Sequence, residues 1–294
     1  MNAPFGKVVT AVITPFTEGG AEIDYVAVER LAAHLCPEHT DSVVVCGTTG
    51  EGPTITRTEK LALWEYWLGA APEGIKIIAN TGTNNTAESV ELTQKAKRIG
   101  VHAAMAVMPY YNKPNFDGQI AHFTAVADCG LPVMLYNVPG RTGGKLLPEA
   151  ACELSKHPNI VAIKEAAGDP LLVTYFKENA TPGFAVYSGD DPLTYEMCKL
   201  GGAGVVSVAS HLVGREIREM IDAVQSGDDA KAKAIHERLT PLFDAIFVTT
   251  NPIPIKTACA MLGLCDEEFR LPMTRMRDAE RNALAELMGK FGLL

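Results

Sequence analysis

The sequence predicts an α/β fold, a (β/α)8 TIM barrel with a C-terminal helical extension. Eight short runs rich in β-branched residues recur at intervals that each leave room for one helix. The runs are almost continuously apolar, which is typical of parallel strands covered by helices. No G-x-G-x-x-G fingerprint follows the first run, where the sequence reads TPFTEGG from residue 14. This absence disfavours the open doubly wound sheet, the main alternative for such a pattern.

The eight predicted strands are rich in valine, isoleucine and alanine. They are expected at residues 7–15, 42–46, 76–81, 103–109, 132–138, 159–164, 184–188 and 203–208. Right-handed crossovers between parallel neighbours would close these strands into a barrel.

Helical patterns fill the intervals between the strands. They are expected at residues 24–35, 56–70, 86–99, 116–128, 148–156, 170–179, 192–200 and 215–225. Thr56 followed by Glu59 has the spacing of a capping box. Strand patterns stop after about residue 228, and further helices are expected at 229–249, 255–262 and 278–290. Residues 1–228 are therefore predicted to form the catalytic barrel, and residues 229–294 the helical extension.

Composition excludes several classes of partner. The 294 residues contain 26 lysines and arginines against 35 aspartates and glutamates, which gives a formal charge of −9. This excess of acid argues against nucleic acid or an anionic membrane as a partner. No apolar run approaches the roughly 18 residues of a membrane span, and the first 16 residues are typical of a strand and not of a signal peptide.

The seven cysteines are scattered and never form a C-x-x-C pair, so neither a disulfide framework nor a structural zinc site is expected. We expect a reducing, cytoplasmic setting in which most of the cysteines are small buried hydrophobic residues.

The chemistry of a barrel of this class takes place where strands end and loops begin. Those positions carry an unusual set of polar residues. They read GTTGEG from residue 47, PYYN from residue 109, YNVPGRT from residue 136, IKE from residue 163 and SGDD from residue 188.

Lys164 is the most informative of these residues, because a long cationic side chain ends an otherwise apolar strand. Strand alternation places Lys164 on the same face as Ala162, which is the barrel interior if the larger residues face the helices. Desolvation there would lower the pKa of the amine, as a Schiff-base nucleophile requires. The alternative is a structural lysine paired with a carboxylate at the rim.

Tyr136 is expected to approach Lys164 from the neighbouring strand. A phenol beside an imine-forming lysine can donate and accept protons, although a strand-end tyrosine is also a common amphipathic rim residue. Thr48 and Thr49 lie on a glycine-flanked turn that could bind a small carboxylate, or could be a tight turn and no more. Arg141 could hold a second carboxylate through two hydrogen bonds, or lie solvated in its loop.

Other functions fit the sequence less well. A metal-dependent hydrolase is disfavoured because the histidines lie mainly in predicted helices and loops, without H-x-H or H-E-x-x-H. A pyridoxal-phosphate enzyme would need a phosphate cradle near Asp190 and Asp191, which would repel it. We therefore expect no metal and no cofactor. A barrel that binds a keto acid without catalysis remains open.

Taken together, the five motifs resemble the dihydrodipicolinate synthase family in order and spacing. The resemblance includes TAVITPF from residue 10, NPIPIK from residue 251 and LPM from residue 271, so it covers essentially the whole chain. It implies a class I aldolase on a (β/α)8 barrel, usually a homotetramer, with a dimer as the alternative. The implied reaction condenses pyruvate with L-aspartate 4-semialdehyde to 4-hydroxy-tetrahydrodipicolinate, a step of lysine and diaminopimelate biosynthesis.

The resemblance also implies a role for each matching residue. Lys164 would form the imine with pyruvate, and Tyr136 would donate and accept protons. Thr48 would complete a hydroxyl relay with Tyr111, which in this family comes from a neighbouring subunit. The carboxylate of pyruvate would be bound by Thr49 and the main chain of Val206, and that of the semialdehyde by Arg141.

Sibling aldolases share the barrel and the lysine. N-acetylneuraminate lyase and the 2-keto-3-deoxy sugar-acid aldolases are therefore alternatives. The paired threonines and the Gly140–Thr142 turn favour the synthase, because its second substrate is a short carboxylate and not a polyhydroxylated chain.

Lysine-inhibited members of the family share a rim pocket at a subunit interface. The corresponding residues of this chain are Gly52, Pro53, Arg57, Lys60, Asn84, Glu88 and Tyr110. The first four replace Ser, Ala and two His of sensitive enzymes, and the last three match. Two cations would repel an incoming lysine ammonium, so weak or absent inhibition by L-lysine is expected.

Overall fold

The computed structural model describes residues 3–36 and 39–294. Its centre is a closed barrel of parallel strands in sequential order, in which the eighth strand pairs with the first. The strands are β1 Val8–Ala11, β2 Ser42–Val45, β3 Lys76–Asn80, β4 Ala103–Val107, β5 Val133–Asn137, β6 Ile160–Glu165, β7 Ala185–Ser188 and β8 Gly204–Ser207. The predicted fold class and all eight predicted strands are confirmed.

The observed strands are mostly shorter than predicted, because the apolar runs continue into buried loops. Val12 and Ile13, for example, are buried beyond the end of β1. The exception is β6, which continues one residue further than predicted, to Glu165.

The helices alternate with the strands and cover the barrel. They are α1 Tyr25–Leu35, α2 Arg57–Ala70, α3 Thr86–Ile99, α4 Phe116–Ala127, α5 Pro139–Thr142, α6 Pro148–Leu154, α7 Leu172–Asn179, α8 Thr194–Lys199, α9 Ser210–Ser226, α10 Asp229–Ala245, α11 Ile253–Met261 and α12 Asp278–Lys290. The capping box of α2 is present, since the Thr56 and Glu59 side chains each accept from the other residue's main-chain N–H. The one-turn helix α5 was not predicted, because its Pro-Gly start is typical of a turn.

Two helix boundaries differ from the prediction by four or more residues. Helix α9 begins at Ser210 and not at residue 215, because its first turn is buried against the barrel although it contains serine and histidine. Helix α10 ends at Ala245 and not at residue 249, where a β-branched stretch leads into Asn251 and Pro252.

Side chains pack in two layers on either side of the strands. Outward residues such as Val43 and Ile77 pack against the helices, while inward residues such as Val44 and Met134 fill the barrel. At the amino end of the strands, the Tyr187 hydroxyl donates to the Gly6 carbonyl at 3.0 Å and accepts from the Phe5 N–H at 3.1 Å. These contacts close the amino end of the barrel, so the interior is accessible from the carboxyl ends of the strands.

The C-terminal segment returns to the carboxyl end of the barrel after α10. Helix α11 is buried along most of its length, and it packs with α12 in a separate apolar cluster. The division into two domains at residue 228 stays a prediction, and residues 1, 2, 37 and 38 of the first domain lie outside the described part of the chain. No helix of the described residues is long and apolar enough to span a bilayer. Six of the seven cysteines are buried, which confirms that most of them are buried residues.

Candidate active site

Lys164 and Tyr136 lie side by side inside the barrel. They are direct neighbours in the pairing of β5 with β6, and each side chain is only 5% exposed. The Lys164 Nζ lies 4.3 Å from the centroid of the Tyr136 ring. The structure therefore brings together the two residues that strand alternation predicted to converge.

The Lys164 amine has no ion-pair partner among the described residues. Asp190 at the end of β7 is close enough to feel its charge, but burial dominates and raises the pKa of that carboxyl. Gly189 makes room for the lysine, since a Cβ there would lie 3.1 Å from Lys164 Cε. The amine is thus buried without the carboxylate that a structural lysine would need.

The turn after β2, residues 46–52, carries both threonines. Its tight path is closed by hydrogen bonds from the Glu51 N–H to the Thr48 carbonyl and from the Gly52 N–H to the Gly47 carbonyl, both 3.0 Å. Thr48 faces a cavity, whereas Thr49 is buried and its hydroxyl accepts from Asn251 Nδ2 at 3.1 Å. We call this segment the β2 turn.

A buried ion pair connects the β2 turn to the C-terminal segment. Glu51 pairs with Lys256 of α11, and both side chains are almost completely buried. Lys256 Nζ also donates to the Glu268 carbonyl at 2.8 Å, and Glu51 Oε2 accepts from the Arg270 N–H at 3.1 Å. The C-terminal segment therefore holds the threonines in place.

Arg141 lies on α5, at the mouth of the barrel. Its Nη2 donates to the main-chain carbonyl of Asn251 at 3.2 Å. Asn251 thus contacts both Thr49 and Arg141, two residues that were predicted to bind carboxylates. Asn251 begins the NPIPIK motif and had no predicted role, because nothing in the sequence places it near the strand ends.

A cavity of about 290 Å³ opens beside Tyr136. Its walls contain Gly47, Thr48, Gly52, Pro53, Lys60, Asn80, Gly82, Thr83, Val107, Tyr110, Tyr136, Val138, Arg141 and Thr142. Lys164 lies beside Tyr136 and is not part of the wall. Lys60 and Arg141 are the charged residues of the wall, and both are cations. The chain is acidic overall, but this cavity favours carboxylates.

Two further predicted residues lie away from the cavity wall. Val206 is fully buried on β8, where it pairs with Val9 of β1. Tyr111 is 88% exposed and has a positive φ of 72°, so its side chain lies outside this cavity within the single chain.

The predicted rim pocket is only partly assembled. Gly52, Pro53, Lys60 and Tyr110 lie on the cavity wall, but Arg57 forms two hydrogen bonds of 2.7 Å to Glu91 of α3. The wall therefore carries one of the two predicted cations. Asn84 and Glu88 also lie outside the wall.

Directly behind the buried pair, on the outer face of the barrel, lies a second polar pair that was not predicted. Asn137 and Glu165 end β5 and β6 and are neighbours in register. Asn137 Nδ2 donates to Glu165 Oε1 at 2.9 Å and to Oε2 at 3.0 Å. Burial raises the pKa of Glu165 to about 7, although hydrogen bonds from Asn137 and Ala167 oppose the shift. The sequence did contain a signal for this pair, because a polar residue follows each of the two candidate catalytic groups by one position.

Comparison with known proteins gives a consistent result. The model of the dihydrodipicolinate synthetase family matches residues 4–290. The chain is 50% identical over 292 residues to the 4-hydroxy-tetrahydrodipicolinate synthase of Thermosynechococcus vestitus, covering 99% of this chain and 98% of that protein.

Two solved structures are similar over their whole length. The crystal structure of DHDPS from Cyanidioschyzon merolae with lysine bound has a TM-score of 0.96 and 44% identity, covering 99% of each chain. Dihydrodipicolinate synthase from Aquifex aeolicus has a TM-score of 0.95 and 43% identity, covering 98% of this chain and 99% of that one.

Proposed function

Because this chain belongs to the dihydrodipicolinate synthetase family, we propose that Lys164 is the nucleophile of a Schiff-base condensation. The chain condenses pyruvate with L-aspartate 4-semialdehyde to 4-hydroxy-tetrahydrodipicolinate, in lysine and diaminopimelate biosynthesis. The observation that carries the role of Lys164 is its buried amine, 4.3 Å from the Tyr136 ring and without an ion-pair partner among the described residues.

The reaction begins with attack of the neutral Lys164 amine on C2 of pyruvate, and one water leaves as the imine forms. Tyr136 removes a proton from the methyl carbon, which gives an enamine. The enamine carbon attacks the aldehyde of the semialdehyde, and the new alkoxide takes a proton from Tyr136. The substrate's own amine then attacks C2, closes the ring and releases Lys164, so that one water is lost overall.

The two substrate carboxylates are bound at separate places. Thr49 and the main chain of Val206 hold the carboxylate of pyruvate, and Arg141 receives that of the semialdehyde through its guanidinium. The support for this assignment is the cationic cavity wall and the contact of Asn251 with both Thr49 and Arg141.

The hydroxyl relay needs a second copy of the chain. Thr48 relays protons together with Tyr111 of a neighbouring subunit, in a homotetramer or, alternatively, a dimer. The exposure of Tyr111 and its positive φ support this, because a large aromatic side chain held outward is typical of an interface. A cytoplasmic location fits the seven free thiols.

A substrate comparison tests the proposed function against the sibling aldolases. Pyruvate is supplied with L-aspartate 4-semialdehyde, with N-acetylmannosamine or with glyceraldehyde, and kcat/KM is measured for each. We expect the semialdehyde to be preferred by about 100-fold or more, because only its carboxylate uses Arg141. Lys164→Ala is the control and should be inactive with all three. Preference for a polyhydroxylated aldehyde would reassign the chain to a sibling activity.

We also propose that L-lysine inhibits this chain weakly or not at all. Lys60 places a cation on the cavity wall, and the rim residues Gly52 and Pro53 offer no side-chain hydrogen-bond donor or acceptor. Activity is measured while L-lysine is added, with Lys60→Glu as the matched variant, in which inhibition should strengthen. Inhibition of the wild type at sub-millimolar L-lysine would show that the pocket still binds it.

A further inference from the structure

The outer face of the barrel carries a buried polar pair at the level of the reacting groups. Asn137 and Glu165 each follow a candidate catalytic residue by one position, so their side chains leave the opposite face of the same two strands. Both are almost fully buried. The two bonds from Asn137 Nδ2 to the Glu165 carboxylate, 2.9 and 3.0 Å, cross-link β5 and β6 beyond the main-chain ladder.

Stability alone gives no reason for this pair. No lysine, arginine or histidine of the described residues forms an ion pair with Glu165, and its carboxylate is held by Asn137 and by the Ala167 N–H at 2.8 Å. A buried carboxylate without a cation is costly, and an apolar pair of similar size would fill the space at lower cost. The pair therefore needs an explanation besides packing.

The same pair reaches the loop that carries Arg141. Asn137 Oδ1 accepts from the N–H of Leu146 at 2.9 Å, and Leu146 is where the chain leaves the α5 loop. Asn137 therefore lies at the start of this loop, and its side chain binds the main chain at the end of the loop. On the other side, the Glu165 carbonyl accepts from the N–H of Gly189 at 2.7 Å, beside the Lys164 side chain.

We propose that Asn137 and Glu165 are positioning residues of the condensation. Together they fix the relative height of Lys164 and Tyr136 on adjacent strands, and Asn137 also fixes the loop of Arg141. The inference rests on the proposed function of Lys164. Reacting groups must lie within about 1 Å of the productive geometry, and misplacement by that much can cost about 100-fold in rate.

The test uses Glu165→Gln and Asn137→Ala in the full-length protein. A glutamine keeps one oxygen to accept from Asn137 and Ala167, as Glu165 Oε1 does, but its amide nitrogen replaces Oε2 and sets a donor against Asn137 Nδ2. Asn137→Ala removes both the link to Glu165 and the link to Leu146. The control is Asn159→Ala, which removes a side-chain hydrogen bond of 2.9 Å to Ala127 at the opposite end of β6. For each protein, the rate of borohydride-trapped adduct formation with pyruvate is measured, together with kcat and both KM values.

We expect both positioning variants to form the adduct about 10- to 100-fold more slowly and to lose kcat to a similar extent. Asn137→Ala should in addition raise KM for the semialdehyde, because the Arg141 loop is released, while Glu165→Gln should not. The double variant should lose little more kcat than Asn137→Ala alone, since the link between Asn137 and Glu165 is already absent in that variant. Asn159→Ala should react at the wild-type rate.

Three results would overturn the inference. Wild-type adduct formation and turnover in both folded variants would show that the pair is structural only, and the role of Lys164 would stand. Fully additive losses in the double variant would show two independent effects. Absence of any adduct on wild-type Lys164 would overturn the proposed function as well. If Glu165→Gln does not fold, Glu165→Asp, which shortens the side chain by one methylene, is measured against the same expectations.

Discussion

Two lysines of the described residues are buried, and their surroundings differ in one decisive respect. Lys256 is fully buried between the rings of Phe16 and Phe269, and it is paired with Glu51. Lys164 is 5% exposed and also lies over an aromatic ring, yet no carboxylate of the described residues pairs with it. Aromatic packing is common to both, so the carboxylate is what separates them.

The comparison shows how one chain uses the same side chain for two purposes. A buried ammonium is costly unless a carboxylate compensates it. Burial lowers the pKa of Lys256, but the charge and hydrogen bond of Glu51 oppose the shift and occupy the amine, which is then not available to attack a carbonyl. Lys256 therefore stabilises the β2 turn, whereas Lys164 is left free to react.

The largest effect is expected for Tyr136→Phe, which keeps the ring beside Lys164 and removes only the hydroxyl. Because the phenol moves protons in the proposed reaction, kcat should fall by about 100- to 10,000-fold while the variant folds normally. Steady-state kinetics and a thermal melt measure the two quantities. Near-normal turnover would mean that the ring matters only for packing, and the proton-transfer role would pass to another group.

The next effect is on stability and concerns the paired lysine. Lys256→Met leaves the Glu51 carboxylate buried without its cation, so the free energy of unfolding should fall by about 3–5 kcal/mol. Urea denaturation measures the loss. Glu51→Gln combined with Lys256→Met should recover part of it, because no charge is then left unpaired. A cost below 1 kcal/mol for Lys256→Met would erase the distinction between the two lysines.

Glu165 extends the contrast to a buried carboxylate without a cation, and it makes stability depend on pH. Burial raises the pKa of Glu165 from 4.5 to about 7, so between these values the folded protein keeps a proton that the unfolded chain has released. The free energy of unfolding should therefore fall as pH rises from about 4.5 to about 7, by about 3 kcal/mol from this residue. Glu165→Gln removes this contribution.

The measurement is the difference in free energy of unfolding between wild type and Glu165→Gln, followed by urea denaturation from pH 4.5 to pH 8. The wild type should lose stability relative to the variant across the interval and then run parallel to it above pH 7. Parallel curves over the whole range would show that Glu165 is ionised throughout.

The smallest effect is expected at the contact between the β2 turn and Arg141. Asn251→Ala removes the hydrogen bond to the Thr49 hydroxyl and leaves its own main-chain carbonyl for Arg141. KM for pyruvate should therefore rise by about 5- to 10-fold, while KM for the semialdehyde changes less, because one neutral hydrogen bond contributes about 1 kcal/mol. Equal changes in both KM values would contradict separate carboxylate sites.

The barrel and its central pair were predictable because both follow from local periodicity. Alternation along β6 placed Lys164 on the inner face with Ala162, and the same rule placed Tyr136 opposite it. The Asn137–Glu165 pair was missed although each residue follows a predicted catalytic residue by one position, because its contact depends on the register between the two strands.

Contacts between distant parts of the chain were not predictable. Asn251 and Lys256 meet the β2 turn only because the C-terminal segment returns to the mouth of the barrel after α10, and no spacing in the sequence encodes that return. The charge of Arg57 was visible in the sequence, but its partner Glu91 lies on the next helix, and the pairing depends on how α2 and α3 pack.

The central claim is that Lys164, and not the other buried lysine, captures pyruvate. The most direct measurement is reduction of the protein with borohydride in the presence of pyruvate, followed by mass mapping of the peptides. The account predicts one adduct per chain on Lys164, none on Lys256, and loss of both adduct and turnover in Lys164→Ala. An unmodified Lys164 in a protein that still turns over, or an adduct on Lys256, would contradict it.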